Sequence, residues 1–290
     1  MSGDYQLVPL ANGGKTLFSA SYGEKMHPGL GPMAEAELLY VRQLKIRERL
    51  QAADEEFVIW DIGLGGAANA IAALQATREM PGKLRAVSFD NTSEPLEFAL
   101  NNAAALGYPV GYEDQMAELL RERRVEFANG KCRVTWEFHL GDFPALVAGP
   151  KLDSAPHAIF YDAFSPAKNP AMWTLPVFEN LFRALDPARP CALTTYSRST
   201  LLRTTLLLAG FFVGTGHATG MKEETTIAAN RQELIAEPLN ARWLERAMRS
   251  DSAEPLREPV YSRAPLAPAT AEQLRRRPQF KLAIEGLSLT

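Results

Sequence analysis

"FFVGTGHA" (211–218) and "EETTIAAN" (223–230) are two strand-like runs joined only by "TGMK" (219–222). Four residues leave no room for a crossover helix, so the pair reads as a β-hairpin. What precedes it has a different rhythm. From Phe57 to about Asn230 short apolar runs alternate with helical stretches, the pattern of βαβ units on a parallel sheet.

The strand expectations upstream are "FVIW" (57–60), "LRAVSF" (84–89), "CRVTWEFHL" (132–140), "HAIFY" (157–161) and "CALTTYS" (191–197). Helices are expected over 67–79, through "EPLEFALNNAAAL" (94–106), and near 174–185 and 199–209, with an extra amphipathic helix near 112–126. Five α/β units closed by a hairpin predict a Rossmann-like, mostly parallel seven-stranded sheet, the layout of the class I methyltransferase fold. A dinucleotide-binding Rossmann domain would continue with another crossover. The expected division is an N-terminal covering segment (1–50), the α/β domain (51–230) and a Pro- and Arg-rich wrapping tail (231–290).

The chain has 290 residues and is 46% hydrophobic, enough for a sizeable core. Its apolar runs, such as "LLLAGFFVG" (206–214), are shorter than the roughly 20 residues a membrane helix needs. No basic region followed by an apolar core opens "MSGDYQLVPLANGG", so no secretory signal and a cytoplasmic location are expected. Cys132 and Cys191 lie in strand-like runs and read as reduced core residues. With a net charge of −3, a polyanionic partner would have to meet local basic groups. "RERR" (121–124) and "LRRRPQFK" (274–281) are candidates, against the plainer reading of solvated helix faces.

Parallel sheets bind ligands at the carboxyl ends of their strands. After the first strand comes "DIGLGGAANAI" (61–71), where Gly63, Gly65 and Gly66 permit a tight turn and close ligand approach. After the second stands Asp90, suited to accept from a ribose diol. Asp142 follows the third, placed for an adenine amino group, and Asp162 the fourth. Any one of these acids could be a helix N-cap. Together with the glycine turn they point to a nucleoside-containing cofactor. There is no P-loop, no metal-ligand spacing and no G-x-S-x-G elbow. His139 and His157 fall inside strands and read as structural.

"YDAFSPAKNPAMW" (161–173) closely resembles the Asp-Gly/Ala-Phe-Ser/Ala-Pro-x-Lys-Asn-Pro-x-x-Trp signature of the MnmC-type methyltransferase family. "TLFSASYGEKMHPGLGPMAEAELLYV" (16–41) is similar to that family's N-terminal Tyr-Gly-Glu segment, and "TGMKEETTIAAN" (219–230) to its closing hairpin. The resemblance implies S-adenosyl-L-methionine (SAM) as cofactor. It also implies 5-aminomethyluridine at the tRNA wobble position as acceptor, with or without 2-thiolation. Some members are fused to an FAD-dependent oxidase; this chain ends at Thr290, so neither that domain nor FAD is expected, and a separate oxidase or upstream tRNA-modifying enzymes would be partners. No metal and no membrane contact are expected.

The glycine turn departs from the family's Glu-Leu-Gly-Phe-Gly-Thr-Gly-Leu-Asn: Asp61 replaces Glu, Ala67 replaces Gly, and Asn69 is retained. Ala67 could narrow the methionine end of the pocket. The cofactor set is therefore Asp61, Gly63, Gly65, Asn69, Asp90, Asp142, Asp162, Ala163 and Phe164. For catalysis the candidate is Asp162. An aliphatic amine is mostly protonated at neutral pH, with a lysine-like value of about 10.4, and a carboxylate beside the sulfonium can orient it and accept a proton. Phe164 and Trp173 are candidates to stack on an extruded base. Pro166 stiffens the loop, Lys168 and Asn169 could meet phosphate or a base edge, and Lys222 is the hairpin's cation. Tyr22 and Glu24 join this substrate set by resemblance. The rival readings are a SAM methyltransferase for a small amine or a protein side chain, and a non-catalytic nucleoside- or RNA-binding module.

Overall fold

A computed structural model describes residues 3–219 and 223–280. Three short strands open the chain: β1 (Tyr5–Pro9), β2 (Lys15–Ser19) and β3 (Glu24–Lys25), an antiparallel sheet in the order β1-β2-β3. Gly31, at φ 95, turns the chain into a helix at Pro32–Ala36 that continues as a π-helix at Glu37–Arg42. Another helix follows at Ile46–Gln51.

The main sheet contains β4 (Phe57–Ile62), β5 (Gly82–Asp90), β6 (Arg124–Asn129), β7 (Cys132–Leu140), β8 (Ala158–Tyr161), β9 (Ala192–Thr195), β10 (Phe212–Gly216) and β11 (Thr225–Ala229). Its order is β10-β11-β9-β8-β4-β5-β7-β6. β4 pairs in parallel with both β5 and β8, so the chain's winding reverses there and leaves a crevice at the carboxyl ends. The hairpin β10–β11 is antiparallel and joins through β9, as its sequence required. Buried Arg203, on the helix Thr200–Ala209, fixes it by donating to the Thr226 hydroxyl at 3.0 Å and to the Thr225 carbonyl at 2.8 Å.

The sheet has eight strands, not seven. The expected helix over 112–126 ends at Glu122, and Arg123, at φ 62, breaks it. Arg124–Asn129 then alternates along an antiparallel pairing with β7. The reason is visible at Gly130-Lys131, the two residues between paired Asn129 and Cys132: a hairpin turn with glycine at its first central position needs positive φ there; Gly130 stands at φ 62, where an added Cβ would lie 2.4 Å from the Arg78 carbonyl oxygen.

Apolar side chains fill both faces of the sheet. On one, Tyr40, Ile71, Leu84 and Trp136 pack together; on the other, Trp60, Phe89, Tyr161, Trp173 and Phe178 do so. Cys132 and Cys191 are buried free thiols, the latter pushed up to about 12 by burial. The residues after β11 cover the outer edge strand. Gln279 accepts from the Val213 amide at 2.8 Å and donates to the Val213 carbonyl at 2.7 Å, which blunts an otherwise open strand edge. His157 precedes β8 and accepts from the Val58 amide at 2.9 Å; burial lowers its pKa to about 4, a structural histidine.

Candidate active site

A cavity of about 630 Å³ lies over the carboxyl ends of β4, β5 and β8, roofed by the N-terminal strands. Its floor is the turn after β4. Gly63 sits at φ 92, and a Cβ there would come within 2.7 Å of the Asp162 carbonyl oxygen, so only glycine lets the turn and the fourth-strand loop touch. Gly65, at φ 51, sends its amide to the Asp90 carboxylate at 2.9 Å. Ala67 adopts φ 67, the left-handed conformation of a glycine, but is fully buried and does not reach the cavity, so it narrows nothing.

Asp90 ends β5 and accepts from Gly65 on one oxygen and from the Asn91 amide, at 2.8 Å, on the other. Burial raises its pKa despite these donors. Asp142 precedes the helix Phe143–Ala148, yet its side chain makes no cap bond; it is exposed and lines the cavity. Asp162 extends the β4–β8 ladder through its own amide, which donates to the Ile62 carbonyl at 2.9 Å. Its carboxylate accepts from Asn69 Nδ2 at 2.7 Å. The Tyr40 phenol, on the π-helix, is held well above its ordinary range by burial and by the neighbouring Asp162 charge.

The N-terminal segment grips the loop after Asp162. Tyr22 stacks on Phe164 with centroids 4.0 Å apart and planes 17° apart. Glu24 accepts from the Ser165 amide at 3.2 Å and from the Ser165 hydroxyl. Ala163, Phe164 and Asn169 line the cavity; Pro166 and exposed Lys168 lie off its wall.

Four of the sequence expectations require correction. Trp173 is fully buried and donates from Nε1 to the Phe164 carbonyl at 2.7 Å, so it braces the loop and cannot stack on a base. Asp61 lies inside β4, which runs on to Ile62; it is fully buried, accepts from Ser88 at 3.0 Å and does not line the cavity. Burial pushes its carboxyl up to about 8, against the Ser88 bond and reinforced by the charges of Asp162 and Asp90. Asn69 is buried beneath the cavity and reaches it only through Asp162. Of the basic run at 275–277, Arg277 donates to the carbonyls of Gly210 at 2.7 Å and Phe211 at 3.2 Å, a structural role that leaves it unsuited to a phosphate. Lys222 lies outside the described residues.

The structure also brings in residues that sequence reasoning missed. His27 Nε2 approaches Asp162 Oδ2 to 3.7 Å, and Tyr196, at the end of β9, donates to the Ala163 carbonyl at 2.9 Å. His27 is the one histidine in a Gly- and Pro-rich loop, "YGEKMHPG" (22–29), which was the available signal. Among the described residues no His, Cys, Asp and Glu group could hold a metal, and no helix is long and apolar enough to cross a membrane.

The cavity suits a cationic nucleoside. An acid at the end of β5, a glycine turn that a Cβ would obstruct and a set of carboxylates facing one space fit SAM, whose sulfonium carries positive charge. Comparison with known proteins agrees. The model of a family described as S-adenosyl-L-methionine-dependent methyltransferase matches residues 110–231. The chain is 31% identical, over 82% of its length and 36% of the relative's, to the tRNA 5-methylaminomethyl-2-thiouridine biosynthesis bifunctional protein MnmC of Cupriavidus metallidurans. The protein of the same name from Ralstonia nicotianae is 33% identical over 74% of this chain and 33% of its own. The chain thus spans about a third of the length of the curated relatives it matches. Among solved structures, MnmC2 from Aquifex aeolicus superposes with a TM-score of 0.70 at 25% identity, covering 95% of this chain and 84% of that one. A spermidine synthase shares the fold, with a TM-score of 0.55 at 12% identity, over 93% of this chain and 84% of its own. With this fold, this cavity and these relatives, the chain belongs to the MnmC-type family of S-adenosyl-L-methionine-dependent methyltransferases.

Proposed function

We propose that this protein methylates the aminomethyl group of 5-aminomethyluridine, with or without a 2-thio group, at the wobble position of tRNA. The observation that carries the reading is Asp162: a carboxylate pinned by Asn69 at the floor of the cavity, between the glycine turn and the Tyr22–Phe164 pair. The names of the relatives support tRNA as the substrate. tRNA is met in the cytoplasm, which we take as the place of action, and a separate enzyme would uncover the primary amine.

When bound, SAM supplies a methyl group on a sulfonium that any well-placed amine can displace. The protein's residues then have four tasks. Asp90 would accept the ribose hydroxyls with the lone pairs left over from Gly65 and Asn91. Asp142 would receive the adenine amino group from the cavity's edge. Asp162 would draw in the substrate's ammonium group and fix its direction, a positioning effect that accounts for a large part of many enzymatic rates. Phe164, backed by Tyr22, offers a stiff aromatic wall for an extruded base. Exposed Lys168, Arg275 and Arg276 would meet the phosphates.

Mass spectrometry of tRNA nucleosides from cells lacking the protein tests the assignment. Accumulated 5-aminomethyluridine is the expected result; an unchanged nucleoside profile would send the methyl group to another amine.

A further inference from the structure

His27 takes no part in holding the glycine turn or the loop after Asp162, yet its ring lines the cavity and its Nε2 lies 3.7 Å from Asp162 Oδ2. That distance is too long for a direct hydrogen bond. It does admit a third atom: a nitrogen about 2.9 Å from each, an ordinary hydrogen-bond length, closes a triangle on that base. An ammonium group has three N–H bonds and can donate to both at once. The backbone adds a second observation. His27 is held at φ 50, a left-handed conformation rare for a non-glycine residue, and Pro28 follows it. Such conformations persist where the surroundings enforce them, and they cluster at active sites.

Resting on the amine-methylation reading above, we propose that His27 is the proton acceptor of the reaction and that Asp162 acts by charge and orientation alone. One N–H of the substrate's ammonium donates to Asp162 Oδ2 while another passes its proton to His27 Nε2, leaving a neutral amine. Rotation about the C–N bond turns the freed lone pair toward the methyl carbon. The N–C bond forms as the C–S bond breaks, its electron pair staying on sulfur, and the product leaves as a methylated ammonium. The imidazolium returns its proton to solvent. Imidazole suits this task because it exchanges a proton near neutrality, where a free carboxylate is a weak base. The other charged groups lining the same cavity are Glu24 and Lys25 on β3, Glu35 on the helix Pro32–Ala36, Asp90 and Asp142, with the Tyr196 phenol beyond Asp162. Burial, then the charges of Asp162 and Glu24, hold that phenol well above its ordinary range, which removes it as a base.

The test is His27→Gln in the full chain, with three readouts. Calorimetry should show SAM affinity within about threefold of wild type. Single-turnover transfer to tRNA bearing 5-aminomethyluridine should fall about 10²–10³-fold at neutral pH. That gap should narrow toward about pH 10, where solution itself deprotonates the amine. A near-wild-type rate at neutral pH, or a defect constant across pH, would overturn the proposal. Ring NMR of His27 gives a measurement that needs no acceptor: in Asp162→Asn the ring resonances should shift, because the carboxylate 3.7 Å from Nε2 is gone. Unmoved resonances would break the pair. Failure of the wild type to methylate this tRNA would instead count against the substrate assignment, and the ring resonances would still decide the contact.

Discussion

Asn69 and Asp162 are 93 positions apart, and the amide of one donates to the carboxylate of the other over 2.7 Å. Asn69 sits in the first helix after the glycine turn, fully enclosed, so the bond couples that turn to the carboxylate proposed to receive the amine. Asn69→Ala should lower single-turnover transfer by about tenfold to a hundredfold while SAM affinity changes little, and cost about 1–3 kcal/mol of stability. Calorimetry beside rapid-quench kinetics checks both parts.

Asp61 gives the fold a pH dependence of definite sign. Its carboxyl, pushed up to about 8, keeps a proton in the folded state that the unfolded chain releases near 3.9. The associated stability is full below about pH 4 and is lost as pH rises through about 8. Asp61→Asn cannot ionise, so its stability relative to wild type should climb across that window, by a few kcal/mol at the alkaline end. Urea melts at a series of pH values would show it; parallel curves for the two proteins would contradict it.

Trp173 and Phe164 should separate cleanly. Trp173→Phe removes the bond to the Phe164 carbonyl and should lower Tm by several degrees through about 1–2 kcal/mol. Phe164→Ala removes the aromatic wall and should raise KM for tRNA with a smaller effect on Tm. Thermal melts and steady-state kinetics on both variants are the check.

Arg275 and Arg276 are exposed, whereas Arg277 is half-buried and fastened to two carbonyls. Arg277→Ala should therefore destabilise the protein by about 1–3 kcal/mol. The double variant Arg275→Ala/Arg276→Ala should leave Tm unchanged and lower the salt slope of tRNA binding by about one unit for each phosphate that the arginines neutralise in the wild type. A slope that does not move would mark these two as solvated surface.

Much of the main sheet was legible because buried parallel strands read as apolar runs, and the acids that follow them, Asp90, Asp142 and Asp162, sit where the runs stop. Asp61 misled because β4 continues two residues past its apolar run, and the period of a strand then turns the side chain into the sheet. Trp173 misled because the loop after Asp162 curls back, so a large aromatic near a site became its brace. β6 hid behind a helix with one residue, Arg123, between them; only Gly130 betrayed the hairpin. His27 was out of reach for a different reason. Its loop, "YGEKMHPG" (22–29), marks the residue without placing it: that depends on the β1–β3 sheet folding over a cavity built from distant strands.

The most direct measurement of the central claim is single-turnover methyl transfer from SAM to tRNA bearing 5-aminomethyluridine, comparing wild type with Asp162→Asn. The variant keeps the shape of the side chain and loses its charge. Transfer by the wild type, SAM affinity close to normal in the variant, and a rate reduced by about 10²-fold or more at neutral pH are the expected results. A variant that transfers at nearly the wild-type rate would contradict the role of Asp162.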